Sequence, residues 1–339
     1  MAIQSIRIKN VMAFGAKKID DKELPFELTF CPGINVIIGE NGTGKTSLLK
    51  MIYGATQIPT DDEERGKTLQ FTRFFSPKLF ASDLISHTAN EDAEGSVEVT
   101  AGLQSVKVRL CPERMFTDLD STTLVQDAVF IPTTEMLSHT KGFLALNEKY
   151  HMPFDDTQVD IIVDASLPEA REIPAYTQTI LDKIGTVIDG KVIQENDEFY
   201  VLKKDGRKLR FSLEAEGLRK LGLLWKLIRN GLLEPGTILI WDEPEANLNP
   251  ELFSLVAEIL LELQKNGIQI FVATHSYNFA KYLEIRRTET EQVQFHNLYH
   301  SEQPGVIEAS SAYRMEDLHP NHIMMADNKL LDAVYNEAK

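Results

Sequence analysis

Three short runs along the chain are apolar at nearly every position: Ile34, Val36, Ile37 and Ile38; then Thr237-Ile238-Leu239-Ile240-Trp241; then Ile268-Gln269-Ile270-Phe271-Val272-Ala273. Runs of this length without a polar face are expected of strands covered on both sides. The first leads into Ser47 to Tyr53, apolar at helical spacing until Gly54. The second is followed by a helix from Glu251 to about Lys265, with Asn249 as N-cap, Pro250 at the first helical position and Asn266-Gly267 as the stop. Ahead of the second run, Leu218, Leu221, Leu224, Trp225 and Ile228 share one helical face that ends at Asn230-Gly231. Residues 96 to 110 alternate apolar and polar, as antiparallel strands with one wet face do. Helices dominate from Gly142 to Gly190, where Tyr176, Ile180, Ile184 and Val187 repeat after Pro174, and Lys191 to Phe211 returns to β around an Asp205-Gly206 turn. No sustained heptads occur, which excludes a long coiled coil.

The chemistry gathers where the apolar runs end. Gly39-Glu40-Asn41-Gly42-Thr43-Gly44-Lys45-Thr46 is a complete G-x-x-x-x-G-K-[ST] loop between a strand and a helix, the order a phosphate cradle requires. Its glycines let backbone N–H groups close around phosphates, the helix N-terminus adds partial positive charge, and Lys45 reaches the β/γ oxygens of ATP. Gly39 through Thr46, with Ser47, are the expected nucleotide-binding residues, and Thr46 would offer its hydroxyl to Mg²⁺. The second run ends in Asp242-Glu243-Pro244. Two carboxylates at a strand's C-terminal edge suit metal-assisted phosphoryl transfer, Asp242 in the Mg²⁺ shell and Glu243 polarising the attacking water. The third run delivers His275 to the same edge one helix later.

With these residues in this order the chain resembles ABC-type ATPases of the RecF/SMC/OLD-like branch. It is similar in particular to stand-alone prokaryotic AAA-family ATPases that carry the run Asp242 to Pro250 and Thr274-His275-Ser276 and often sit in phage-defence systems. Ile6 to Phe14 is similar to that branch's first strand and aromatic turn. The likeness covers residues 1–54 and 205–285 and is looser between them. It implies an α/β P-loop fold with a mixed central sheet, an antiparallel β-subdomain and a helical lid. On this reading residues 1–339 form one ABC-type domain. Residues 1–54 and 205–285 are its nucleotide-binding core, 55–135 the β-subdomain and insert, 136–204 the lid and 286–339 a C-terminal extension. The resemblance further implies that His275 contacts the γ-phosphate and that Ala215, Glu216 and Gly217 form the signature that completes a partner's site in trans. Ala215 stands where the branch commonly has serine; without a partner, Glu214 and Glu216 are simply favourable first-turn acids. The Q-loop position after the strand Ala128 to Pro132 falls on a threonine or on Glu135, with Glu135 favoured as the residue near the metal; Gln126 lies before the strand. Phe14 is read either as the adenine contact or as a core phenylalanine.

Composition narrows the partners. Of 339 residues, 43% are hydrophobic, enough for a sizeable core, and length alone suggests about two domains. No run of 18 apolar residues and no signal pattern occurs, so a soluble cytoplasmic protein is expected. Cys31 and Cys111 have no metal-ligand spacing. A net charge of −16, from 51 acids against 35 bases, disfavours general nucleic-acid binding. Arg207-Lys208 with Arg210, or Arg219-Lys220, are expected to face ATP, a partner or solvent. The acid runs Asp61 to Glu64 and Glu91 to Glu94 read as solvated loops. Asp118 and Asp120 lack the preceding strand of a nuclease motif. Asp155, Asp156, Asp160 and Asp164 read as a polar helix face, and His319 to His322 as a loop. The partners expected are a second copy of the chain, or a larger assembly of dimers, and a separate effector protein. A DNA-dependent repair ATPase and an ATP-gated scaffold with negligible turnover are the alternatives.

Overall fold

The computed structural model describes residues 2–20, 22–58, 71–86, 89, 93–112, 114–117, 124 and 126–337. The acids Asp61 to Glu64, Glu91 and Asp92 and the pair Asp118 and Asp120 lie outside the described residues. The three apolar runs become β5 (Ile34–Gly39), β13 (Ile238–Asp242) and β14 (Gln269–Ala273), buried throughout. With β9 (Ala128–Ile131), β15 (Val293–His300) and β16 (Ile307–Ala312) they build a six-stranded sheet in the order β16-β15-β5-β14-β13-β9. All its pairings are parallel except β15 with β16, so the sheet is mixed.

Alternation within these strands divides two cores. Val36, Leu239, Trp241, Ile270 and Val272 face one, which also holds apolar residues of the helices at Asp156–Ser166, Ala175–Val187, Glu216–Arg229, Phe253–Lys265 and Tyr277–Arg286. Ile37, Ile240 and Phe271 face the other. There they meet α1 (Lys45–Thr56) and an antiparallel sheet ordered β4-β1-β6-β7-β8. That sheet comprises β1 (Ser5–Lys9), β4 (Phe26–Thr29), β6 (Gly95–Ala101), β7 (Gln104–Cys111) and β8 (Arg114–Thr117). Both faces of the central sheet are therefore dry at β5, β13 and β14, which is why these strands carry no polar alternation. β6 buries every second residue, as its sequence predicts.

The remaining helices are α2 (Ala81–Leu84), α3 (Phe143–Tyr150), α4 (Asp156–Ser166), α5 (Ala175–Val187), α6 (Glu216–Arg229), α7 (Phe253–Lys265), α8 (Tyr277–Arg286) and α9 (His322–Glu337). A three-stranded sheet of β10 (Gly190–Glu195), β11 (Glu198–Lys203) and β12 (Lys208–Arg210) lies between α5 and α6 in sequence, and β2 (Lys17–Ile19) pairs with β3 (Lys22–Leu24). The helix expected from Glu251 opens instead with a 3₁₀ turn at Pro250–Leu252, capped by Asn249, whose Oδ1 accepts from Glu251 N at 3.2 Å. The segment read as a loop at His319 to His322 is non-helical through Asn321, and α9 starts at His322. Among the described residues no helix is long and apolar enough to cross a membrane.

One buried polar cluster makes stability depend on pH. His296 of β15 is fully buried, with Nε2 3.2 Å from Asn35 Oδ1 and Nδ1 2.8 Å from Ser311 Oγ. Asn35 Oδ1 also accepts from Cys31 N, so Nε2 is the donor to Asn35 and Nδ1 is left to accept from Ser311. Burial lowers the imidazole pKa to about 3. Below the ordinary histidine range the unfolded chain takes up a proton that the native chain refuses, so stability falls as pH drops from 6.5. One pH unit below that value His296 alone should cost about 1.4 kcal/mol. Urea melts at pH 7.5 and 5.5 should show a smaller acid loss in His296→Gln than in wild type; equal losses would remove His296 as the cause.

Candidate active site

β5, β13, β14 and β9 run parallel, so their C-terminal ends open on one edge, and the polar residues that follow them meet there. The loop after β5 turns through left-handed Gly42 (φ 81°) and Gly44 (φ 86°). A Cβ on Gly42 would have no atom within 4 Å, so the concave side of the loop is open to a ligand. Thr43 Oγ1 donates to Glu40 O at 2.8 Å and fixes the loop's curl. The Lys45 ammonium donates to the carbonyls of Gly39 (2.9 Å) and Glu40 (2.8 Å). Burial lowers its pKa to about 8, partly offset by the carboxylates of Glu243, Asp242 and Glu40. α1 begins at Lys45 with no side-chain cap, leaving its first N–H groups directed at the loop. Asn41 and Thr46 are exposed around it and Ser47 half-buried.

Thr46 and Asp242, 196 residues apart, meet at 2.9 Å, the threonine hydroxyl donating to Asp242 Oδ2. Thr133 Oγ1 donates to the same oxygen at 3.0 Å. Asp242 is buried and its Oδ1 has no hydrogen-bond partner. Burial raises the pKa of this carboxyl, against the lowering effect of the two threonine hydroxyls. A buried carboxylate oxygen left unpaired is costly, and a hard divalent cation would satisfy it. Thr46, Asp242 and Thr133 therefore fit a Mg²⁺ ion. Glu243, the next residue, carries its carboxylate 3.3 Å from His275 Nε2. Burial and then the Lys45 cation lower the His275 pKa, against the raising effect of Glu243 and Asp242. Thr274 and the His275 backbone N–H both bond Glu245 Oε1 (2.5 and 3.1 Å), tying the loop after β13 to the end of β14.

Three assignments change. Phe14 is fully buried, its ring centre 4.7 Å from that of Phe26 and its ring edge 2.8 Å from where a Cβ on Gly44 would stand; no face is free for adenine. It supports the phosphate loop from beneath. Glu135 is not the residue near the metal: its carboxylate pairs with Arg219 at 2.9 Å and with Ser138, and Thr133 takes the place beside Asp242. Gly217 packs inside its own chain, where a Cβ would stand 2.6 Å from Asn247 O. At the start of α6, Ala215 and Glu216 are the exposed residues. The first helical bond there is Arg219 N to Ala215 O, and no side chain caps the N–H groups before it.

The basic pair Arg219-Lys220 also turns inward. Arg219 is held by Glu135, and Lys220 is buried with its ammonium donating to Glu243 O at 2.9 Å. Arg207 and Lys208 pair on the surface with Asp205 and Glu195. Asp155 pairs with Lys50 and Asp160 accepts from Tyr53, which ties the α4 segment to α1, while Asp156 pairs with Arg73 of the 3₁₀ turn at Phe71–Phe74. Among the described residues no three His, Cys, Asp or Glu side chains are grouped to hold a metal. His322, at the start of α9, brings Nδ1 to 3.1 Å from Glu40 of the phosphate loop, a contact no sequence pattern announced.

Residues 5–166 match a family model described as "AAA domain", and residues 141–280 match one described as "AAA domain, putative AbiEii toxin, Type IV TA system". The L-cystine import ATP-binding protein TcyN of Bacillus subtilis (strain 168) is 28% identical over 142 residues, 36% of this chain and 55% of the relative. The arginine transport ATP-binding protein ArtP of Haemophilus influenzae is 35% identical over 65 residues, 19% of this chain and 27% of the relative. The chain thus spans about half the length of the first and about a quarter of the second. Among solved structures, an SMC head bound to the C-winged helix domain of ScpA superposes with a TM-score of 0.57 at 15% identity, covering 92% of this chain and 98% of that one. A Pyrococcus furiosus SMC head with an extended coiled coil, bound to the C-terminal domain of ScpA, gives 0.53 at 12% identity, covering 98% and 99%. At these identities the likeness is one of fold.

Proposed function

We propose that the chain is an ABC-type ATPase that hydrolyses ATP at composite sites of a head-to-tail dimer and passes its nucleotide state to a separate effector; the two AAA-domain matches and the SMC-head-like fold support this reading. The observation that carries this reading is the meeting of Thr46, Thr133 and Asp242 on one carboxylate beside the Glu243–His275 pair. The loop from Gly39 to Thr46 and Lys45 bind the phosphates. Thr46 and Asp242, with Thr133 alongside, would hold Mg²⁺, which would neutralise charge on the phosphate oxygens. Glu243 accepts the proton of the attacking water, and His275, whose Nε2 lies 3.3 Å from the Glu243 carboxylate, faces the γ-phosphate. The open helix end at Ala215 and Glu216 is the surface offered to the partner's nucleotide. By the resemblance of its motifs to phage-defence ATPases we read the role as prokaryotic antiviral defence; the charge of −16 argues against the DNA-dependent repair alternative.

Sedimentation tests the dimer. If ATP bridges two protomers, ligand at about a hundred times its Kd for the closed state adds roughly 2.7 kcal/mol per site to association. A non-hydrolysable ATP analogue should therefore shift the wild-type protein to a dimer or larger assembly. Identical sedimentation with and without analogue, under conditions where binding is measured, would leave a monomeric ATPase.

A further inference from the structure

The signature helix α6 is fastened to the site of its own chain at four places. Glu216 Oε1 accepts from Asn247 Nδ2 at 2.8 Å, Gly217 lies against Asn247 O, Arg219 holds Glu135, and Lys220 reaches Glu243. Only the last touches the residue that carries the hydrolytic carboxylate.

Glu243 holds φ at 49°, a left-handed backbone that residues with a Cβ keep only when their surroundings impose it. Both of its main-chain polar groups are pinned. Its N–H donates to Ala273 O of β14 at 2.9 Å, and its C=O accepts from Lys220 Nζ at 2.9 Å and, within the turn that follows, from Ala246 N at 3.1 Å. Fixing both groups fixes the direction in which the side chain leaves the backbone, toward His275. Lys220 is 2% exposed, and a lysine is seldom so buried without a paired acid. Here its hydrogen bond goes to a neutral carbonyl; burial lowers its pKa, and the carboxylates of Glu245, Glu243, Glu216 and Asp242 offset that only in part.

We infer that Lys220 is a positioning residue for hydrolysis: it holds Glu243 in the left-handed conformation that aims its carboxylate, and so links the signature helix to the base of the same chain. The inference rests on Glu243 being that base. Lys220→Met keeps the length and apolar stem and loses the donor. It should bind ATP within about threefold of wild type while kcat falls about tenfold or more at little-changed KM. In the nucleotide-free protein, amide exchange across 243–248 should accelerate. Lys220→Arg, which keeps a donor, should recover part of kcat and most of the exchange protection. Added to Glu243→Gln, Lys220→Met should change kcat by less than about twofold, since both act through one carboxylate. Lys220→Gln, polar but too short to reach the carbonyl, makes the same comparison should the methionine variant not fold. If Glu243→Gln alone leaves hydrolysis intact, the base assignment fails whatever Lys220 does. If Glu243→Gln abolishes hydrolysis but loss of the Lys220 donor leaves kcat and exchange at wild-type values, the Lys220 inference is overturned.

Discussion

Glu243→Gln should lower ATP hydrolysis on the order of 10²-fold or more and leave ATP binding intact. The amide keeps the size of the side chain and its place beside His275, but it cannot accept the proton of an attacking water. The phosphate contacts lie elsewhere, in the loop after β5 and at Lys45, so affinity for ATP has no reason to fall. Removing a negative charge beside the triphosphate should strengthen binding slightly. Asp242→Asn is the contrasting case. It weakens the carboxylate whose free Oδ1 would meet the cation, so the Mg²⁺ concentration needed for turnover should rise, while the Glu243–His275 pair is untouched. Single-turnover hydrolysis and a Mg²⁺ titration on the two variants separate the roles. Equal and small effects from both would dissolve the division of labour.

The strands and the phosphate loop were legible because their physics is local. A strand covered on both faces must be apolar throughout, and the glycine loop states its own backbone demands in its letters. The meeting of Thr46 with Asp242 was legible for a related reason: parallel strands of one sheet necessarily end on the same edge. What the letters do not carry is the direction of a side chain after a strand ends. Thr133 and Glu135 both follow β9; the shorter hydroxyl reaches Asp242, whereas the chain has turned by Glu135 and sends its carboxylate to Arg219. Phe14 sits near the phosphate loop in space, as an adenine platform would, but on the underside, because Gly44 without a side chain lets the ring edge pack into the loop's base. Lys220 was hidden by its charge. It precedes Leu221 and stands four residues before Leu224, on the stripe that α6 buries, yet a basic residue in a signature segment reads as one facing phosphate or solvent. Gly217 misled for the opposite reason. Its missing side chain suggests close approach of a ligand, and the approach is real, but it is made by Asn247 and Leu248 of the same chain.

That last contact decides how the two-protomer site should be tested. A bulky residue at Gly217 would collide with Asn247 and disturb the loop after β13 directly, so loss of activity there would not report on a partner. Ala215 is the better probe, exposed at the helix start with no side-chain cap. Ala215→Glu adds a carboxylate where the helix end favours negative charge, so folding should be preserved, while a triphosphate offered by a second protomer would be repelled. Lys45→Ala removes the cation of the phosphate loop and should abolish ATP-dependent thermal stabilisation. Each variant alone should be inactive, since every site of its homodimer lacks one half. Mixed in equal amounts they should regain roughly a quarter of wild-type turnover, because half the dimers are then mixed and each mixed dimer has one site with an intact loop and an intact signature end. Differently tagged protomers, co-purified with ATP, establish that mixed dimers form. If they form and remain inactive, the site is not shared between protomers, and each chain must hydrolyse ATP with its own residues alone.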